Sequence, residues 1–162
     1  MRRLRIAMFG LGYVGTTTAA CLAKAGHHVL GIDINAEKVA AIGAGRSPVV
    51  EPMVEELLSA GVADGRVKSA VAIGDDLDRL DMVIICVGTP SRGDGKLDLS
   101  HLLESTRQLG QALRQRRAAA PLLLVFRSTM PPGTMQELLL PALEQAAGEL
   151  PGRRWEAACN PE

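Results

Sequence analysis

A doubly wound parallel α/β sheet with strand order 3-2-1-4-5-6 is the fold this sequence predicts. Apolar runs with the length of buried strands alternate with segments of helical periodicity. The first run, Arg5 to Phe9, leads into Gly10-Leu11-Gly12-Tyr13-Val14-Gly15 and then into an apolar helix pattern. A second strand pattern follows and ends in the carboxylate of Asp33. Strand, glycine turn, helix and acid-tipped strand form the context that makes such a glycine pattern meaningful.

Each residue of that opening has a physical task. Gly10 lets the chain turn sharply, Gly12 keeps a side chain out of the space in front of the helix, and Gly15 lets helix and strand approach closely. The helix starting near Tyr13 presents unpaired N–H groups and the positive end of its dipole, which suits a pyrophosphate. Asp33 follows Gly15 at close to the spacing of about 20 residues expected of the acid that holds an adenosine ribose. These features predict a Rossmann-type dinucleotide site. A carboxylate there favours NAD over NADP, although Lys38 is a nearby cation that a 2′-phosphate could pair with.

The remaining elements follow in order. Thr16 to Ala25 continues the first helix, and Gly26 ends it. Asn35 is placed to cap a helix that packs through Val39 and Ile42 and stops at Gly43 and Gly45. Arg46 to Pro52, with two prolines, reads as an extended loop. A short helix spans Val54 to Ala60, with a turn at Gly61, and Val67 to Ile73 alternates like a strand. Asp75 to Leu80 is a brief helical turn. Met82 to Val87 is a continuous apolar run suited to a strand covered on both faces. It leads into Gly88-Thr89-Pro90 and a polar loop from Ser91 to Lys96. Leu99 to Arg116 is the longest helix pattern, and Leu122 to Phe126 is another buried strand. Pro131-Pro132-Gly133-Thr134 opens a helix from Met135 to Ala147. Trp155 to Cys159 gives the last strand, ending at Asn160-Pro161-Glu162. The glycine turn, Asp33, Gly88-Thr89, Ser128-Thr129 and Asn160-Pro161-Glu162 thus gather at the carboxyl ends of strands, where open α/β sheets bind ligands.

With 162 residues the chain has the length of one domain, and its formal net charge is zero. That balance points to no nucleic-acid or membrane-surface partner. The basic start, Met1 to Arg5, runs into a strand pattern and not into the long apolar stretch of a signal peptide, so a cytoplasmic location is expected. Cys21, Cys86 and Cys159 form no Cys-x-x-Cys pair and read as buried free thiols. His27, His28 and His101 fit no metal-ligand pattern and read as surface or packing residues.

Taken together, the chain resembles the nucleotide-sugar 6-dehydrogenases, which oxidise UDP-glucose or GDP-mannose to the uronic acid. The resemblance rests on the glycine turn, Gly31-Ile32-Asp33, Ser47-Pro48-Val49-Val50-Glu51-Pro52, Cys86-Val87-Gly88-Thr89-Pro90-Ser91, Arg127-Ser128-Thr129 with Pro132-Gly133-Thr134, and Asn160-Pro161-Glu162. These motifs run in family order across essentially the whole chain. Arg127, the stretch Lys96 to Leu99, and Pro141 favour the GDP-mannose branch.

The resemblance implies that Tyr13 and Val14 line the pyrophosphate turn and that Asp33 and Lys38 hold the adenosine ribose. It places Thr89 and Thr129 on the nicotinamide side, Thr129 also positioning a water near the reacting carbon. Glu162 would contact substrate and help hydrolyse a covalent intermediate, while Glu51 reads only as a charge favourable to the helix behind it. The family uses two NAD molecules in turn, taking the C6 alcohol to an aldehyde and then through a cysteine thioester to the acid. Residues 1–162 then form the NAD-binding domain. The central helical region, second α/β domain and nucleophilic cysteine of the family lie outside them, and homodimers or larger assemblies are expected only with that central region. Met53 departs from the glycine usual after Glu-Pro and predicts a different turn there. The alternatives are a stand-alone NAD-binding module without catalysis, the first domain of another hydride-transfer enzyme such as a β-hydroxyacid dehydrogenase, or a methyltransferase.

Overall fold

The computed structural model describes residues 2–161, the side chain of Asp75 apart. Six parallel strands form one sheet in the order β3-β2-β1-β4-β5-β6, the arrangement the alternation of elements predicts. The strands are β1 (Arg5–Phe9), β2 (His28–Ile32), β3 (Val67–Ala70), β4 (Met82–Ile85), β5 (Leu122–Phe126) and β6 (Trp155–Cys159). The helices are α1 (Tyr13–Lys24), α2 (Ala36–Gly43), α3 (Val54–Ala63), α4 (Ser100–Gln115) and α5 (Leu140–Ala147). A 3-10 turn covers Gly74–Arg79, and a π-helical turn, Met135–Leu139, precedes α5.

Strand alternation sends side chains to two cores. On one face Ile6 and Met8 of β1 pack with Ala19, Ala20 and Ala23 of α1 and with Val54 and Leu58 of α3. On the other, Ala7 and Phe9 join Leu102, Leu109 and Leu113 of α4, Leu139 of the π-helical turn and Leu143 of α5. Both faces of β1 are therefore dry, which a run such as Ile6-Ala7-Met8-Phe9 requires.

Several boundaries differ from the sequence expectation for identifiable reasons. β3 stops at Ala70, the partner of Ile32 at the end of β2. The expected continuation to Ile73 instead bends away, leaving Val71 exposed and tucking Ile73 into the core. β4 likewise pairs only as far as Ile85. The turn expected at Gly61 lies inside α3, where the missing side chain makes room for β3. A Cβ there would stand 2.6 Å from Val67 Cγ2. The single helix expected from Met135 begins as a π turn, with Leu140 N–H donating to Met135 O five residues back. Pro141 has no N–H for an α-helical bond and its ring crowds the carbonyl four residues earlier, so the chain widens there.

Met53, where the sequence suggested a different turn, takes the left-handed conformation, φ 65°, the one non-glycine residue to do so among those described. The thiols also differ from expectation. Cys21 and Cys159 are exposed and Cys86 is half-buried, because Cys21 faces outward on α1 and Cys159 ends an edge strand.

Candidate functional site

Where β1 ends, Gly10 turns the chain at φ +90°, and its N–H donates to Ile32 O at 2.8 Å. A Cβ on Gly10 would lie 2.6 Å from the carbonyl oxygen of Cys86. A Cβ on Gly15 would lie 1.8 Å from the carbonyl oxygen of Gly10, so α1 sits directly against the turn. Gly12 is different. Nothing stands within 4 Å of where its Cβ would be. It begins α1 without a side-chain cap, and no acidic residue occupies the first turn. The first N–H groups of a helix have no partner within it, and here they meet open space together with the positive dipole end. That is a cradle for an anion with two or more oxygens.

Asp33 stands beside this cradle, one residue past β2. Its Oδ2 accepts the Leu11 N–H at 2.7 Å and its Oδ1 accepts the Asn35 N–H at 2.9 Å. Lys38 Nζ lies 3.7 Å from Oδ2. The side chain is only 11 % exposed, so the acid holds the glycine turn and the start of α2 in one frame. A carboxylate offers about four acceptor positions, and these contacts leave room for ribose hydroxyls. They also show the Lys38 charge already paired with Asp33.

These residues line a cleft of about 920 Å³ at the carboxyl edge of the sheet. Gly10, Gly12, Tyr13 and Val14 form one wall, with Asp33, Asn35 and Lys38 next to them. Ile34 and the strand continuation Val71 to Gly74 bound the cleft beyond Asp33, and Cys86 to Gly88 and Pro90 bound it on the other side. The last wall belongs to α4, which contributes His101, Glu104, Ser105 and Gln108. Asp98, just before α4, accepts the Ser100 N–H at 2.9 Å. The Ser100 side chain, followed by its N–H, holds the Asp98 carboxyl below the ordinary value of 3.8.

Thr89 and Thr129 are brought together but not into the lining of this cleft. Thr89 Oγ1 donates to Thr129 O at 2.8 Å. Ser128, buried beside them, donates to Val87 O at 2.7 Å. Arg127 Nη1 donates to Asn160 Oδ1 at 2.8 Å. The ends of β4, β5 and β6 are thus stitched by side-chain bonds between residues far apart in sequence. Gly15 also lies outside the lining and acts from beneath, by letting α1 approach. Glu162 lies outside the described residues.

Sequence reasoning missed the α4 wall. His101 read as a surface or packing residue, yet it faces the cleft, and Glu104, Ser105 and Gln108 carried no motif. Their spacing of three and four residues was the available signal. His27 matches its packing role: it is buried and its Nδ1 accepts the Leu4 N–H at 3.1 Å. Among the described residues, no group of His, Cys, Asp or Glu side chains could hold a metal ion, and no helix is long and apolar enough to cross a membrane.

An open helix mouth, a carboxylate fixed beside it and a cleft with apolar and polar walls together suit a dinucleotide, and the comparisons with known proteins agree. Residues 4–162 match the model of the UDP-glucose/GDP-mannose dehydrogenase family, NAD binding domain. GDP-mannose 6-dehydrogenase from Azotobacter vinelandii is 42 % identical over 98 % of this chain and 36 % of its own length. The structure of GDP-mannose dehydrogenase from Pseudomonas aeruginosa, a ternary complex, superposes with a TM-score of 0.93 at 38 % identity, covering 98 % of this chain and 36 % of that one. A UDP-glucose dehydrogenase from Pyrobaculum islandicum gives 0.89 at 34 % identity, covering 99 % of this chain and 36 % of that one. The chain therefore spans little more than a third of these relatives. It belongs to the UDP-glucose/GDP-mannose dehydrogenase family, as that family's NAD-binding domain.

Proposed function

We propose that residues 1–162 form one coenzyme-binding unit in which the mouth of α1 takes the NAD pyrophosphate. Gly10, Gly12, Tyr13 and Val14 shape that mouth, and Gly15 seats α1 against it. Asp33 and Lys38 hold the adenosine ribose, with the carboxylate accepting from its hydroxyls and opposing a 2′-phosphate. Thr89 and Thr129 fix the strand ends on the nicotinamide side, where Thr129 and Glu162 take part in the chemistry. Bound NAD supplies the acceptor for a hydride from a substrate alcohol.

In the whole protein the substrate is a nucleotide sugar whose C6 hydroxyl is oxidised to the uronic acid with two NAD. GDP-mannose is favoured over UDP-glucose, because GDP-mannose relatives are 38–42 % identical and UDP-glucose relatives 34 %. Such an enzyme works in the cytoplasm as a homodimer or larger assembly built through its central region, with neither nucleic acid nor membrane as a partner. Residues 1–162 alone bind NAD and turn over no sugar nucleotide.

The observation that carries this reading is the uncapped start of α1 beside the fixed Asp33. Calorimetric titration with NAD tests it. The chain should bind NAD, and Asp33→Ala should weaken binding by about tenfold or more, through loss of charge-assisted bonds. No heat with wild type, or an unchanged affinity in Asp33→Ala, contradicts it.

A further inference from the structure

We infer that Glu104, held by Gln108 one turn later on α4, selects the base of the coenzyme by accepting a hydrogen bond from its 6-amino group. The inference rests on the coenzyme reading above and adds to it a specificity-determining residue.

The cleft has one polar side-chain wall that neither the pyrophosphate nor the ribose uses. Beyond Asp33 the far wall is aliphatic: Ile34 is 82 % exposed and Val71 57 % exposed, and Ala72 and Ile73 line the cleft with them. Large exposed aliphatic side chains facing a cleft suit the flat faces of a purine and offer nothing to its polar edge. On that side the Asn35 amide oxygen is committed to capping α2, accepting from Glu37 and Lys38 N–H. Apart from Asp33, the carboxylate that lines the cleft among the described residues is that of Glu104 on α4.

That helix is divided cleanly. Leu102, Thr106, Leu109 and Leu113 are buried in the core, while Glu104, Ser105 and Gln108 face the cleft. Gln108 Nε2 donates to Glu104 Oε1 at 3.0 Å, which orients the carboxylate and leaves acceptor positions on it. Adenine carries one exocyclic donor, the 6-amino group, and a carboxylate is its strongest acceptor. A 6-oxo purine would instead set oxygen against oxygen at that position, its donor being the N1–H of the neighbouring ring atom. A site built to hydrogen-bond a group discriminates against an analogue that lacks it.

The test compares affinities for NAD and nicotinamide hypoxanthine dinucleotide, in which a 6-oxo group replaces the amine. Wild type should bind NAD roughly tenfold more tightly than the analogue, the low end for a hydrogen bond to a charged group at a solvent-open site. Glu104→Ala should keep its melting temperature and reduce that preference below about threefold, by weakening NAD. The ratio cancels any general effect of the lost charge on the pyrophosphate. An equal preference in wild type and Glu104→Ala, or none in wild type, overturns the inference and leaves the coenzyme reading standing. Failure of wild type to bind NAD overturns both.

Discussion

The mouths of α1 and α2 open on the same edge of the sheet, and the chain treats them in opposite ways. At α2 the Asn35 side chain accepts from Glu37 and Lys38 N–H, and Glu37 places a negative charge in the first turn. At α1 the equivalent position is Gly12, with no side chain, no cap and no acid in the first turn. At α4 the cap position is Leu99, without a side-chain cap, and Asp98 before it accepts the Ser100 N–H. Leaving a helix start uncapped costs about 1 kcal/mol. The contrast teaches that α1 forgoes a protein cap where a ligand anion can serve instead, and Asp33 fixes the geometry of that choice by binding Leu11 N–H on one side and Asn35 N–H on the other.

Substitutions at the two mouths should separate fold from ligand. The largest effect is expected at Gly15, beneath α1. Gly15→Ala would press a methyl group to 1.8 Å from the Gly10 carbonyl oxygen, and backbone cannot yield cheaply. A loss of about 3 kcal/mol or more in urea unfolding is expected, with NAD binding lost as the turn moves. Asn35→Ala removes the cap of α2 and should cost about 1 kcal/mol in the same measurement. NAD affinity should change less than about threefold, because the bond that Asn35 gives Asp33 comes from its backbone. A coenzyme effect as large as the stability effect would show that the two mouths are not independent.

The smallest change is expected at Met53, which starts α3 in the left-handed region. Met53→Gly should raise stability by about 0.5–1 kcal/mol, the relief of the side chain outweighing the extra freedom of glycine in the unfolded chain. No change in NAD affinity is expected, since Met53 does not line the cleft. Calorimetry and urea unfolding on the same sample check both statements.

How much of this was legible in the sequence depends on the range of the interaction. β1, β5 and β6 match their predicted spans because an apolar run flanked by turn residues is a local signal. The glycine turn and Asp33 were legible for the same reason: spacing and residue type alone place them. The bond that Asp33 accepts from Leu11 N–H was not legible, because it closes between the ends of two strands. The α4 wall was hidden by its own chemistry, since Glu104 and Gln108 on a helix look like any solvated face until the cleft is in view. Met53 shows a further limit. Methionine in place of glycine suggested a new turn, and residue type alone did not show that Met53 itself takes the left-handed region at the start of α3. Pro141 marked the branch resemblance, but its widening of the preceding turn follows from a hydrogen bond that only the folded chain displays.

The central claim is that the unprotected start of α1 is the place of the pyrophosphate, and Gly12→Asp tests it most directly. An aspartate there has room, suits the extended backbone of Gly12 (φ −78°, ψ −164°), and supplies the cap and charge that α1 lacks. Thermal unfolding of wild type and variant, each with and without NAD at about 100 times the wild-type dissociation constant, gives the reading. Wild type should gain roughly 5–10 °C from the coenzyme. The variant should melt at or above the wild-type temperature without NAD and gain less than about 1 °C with it. A variant stabilised by NAD as much as wild type would contradict the account.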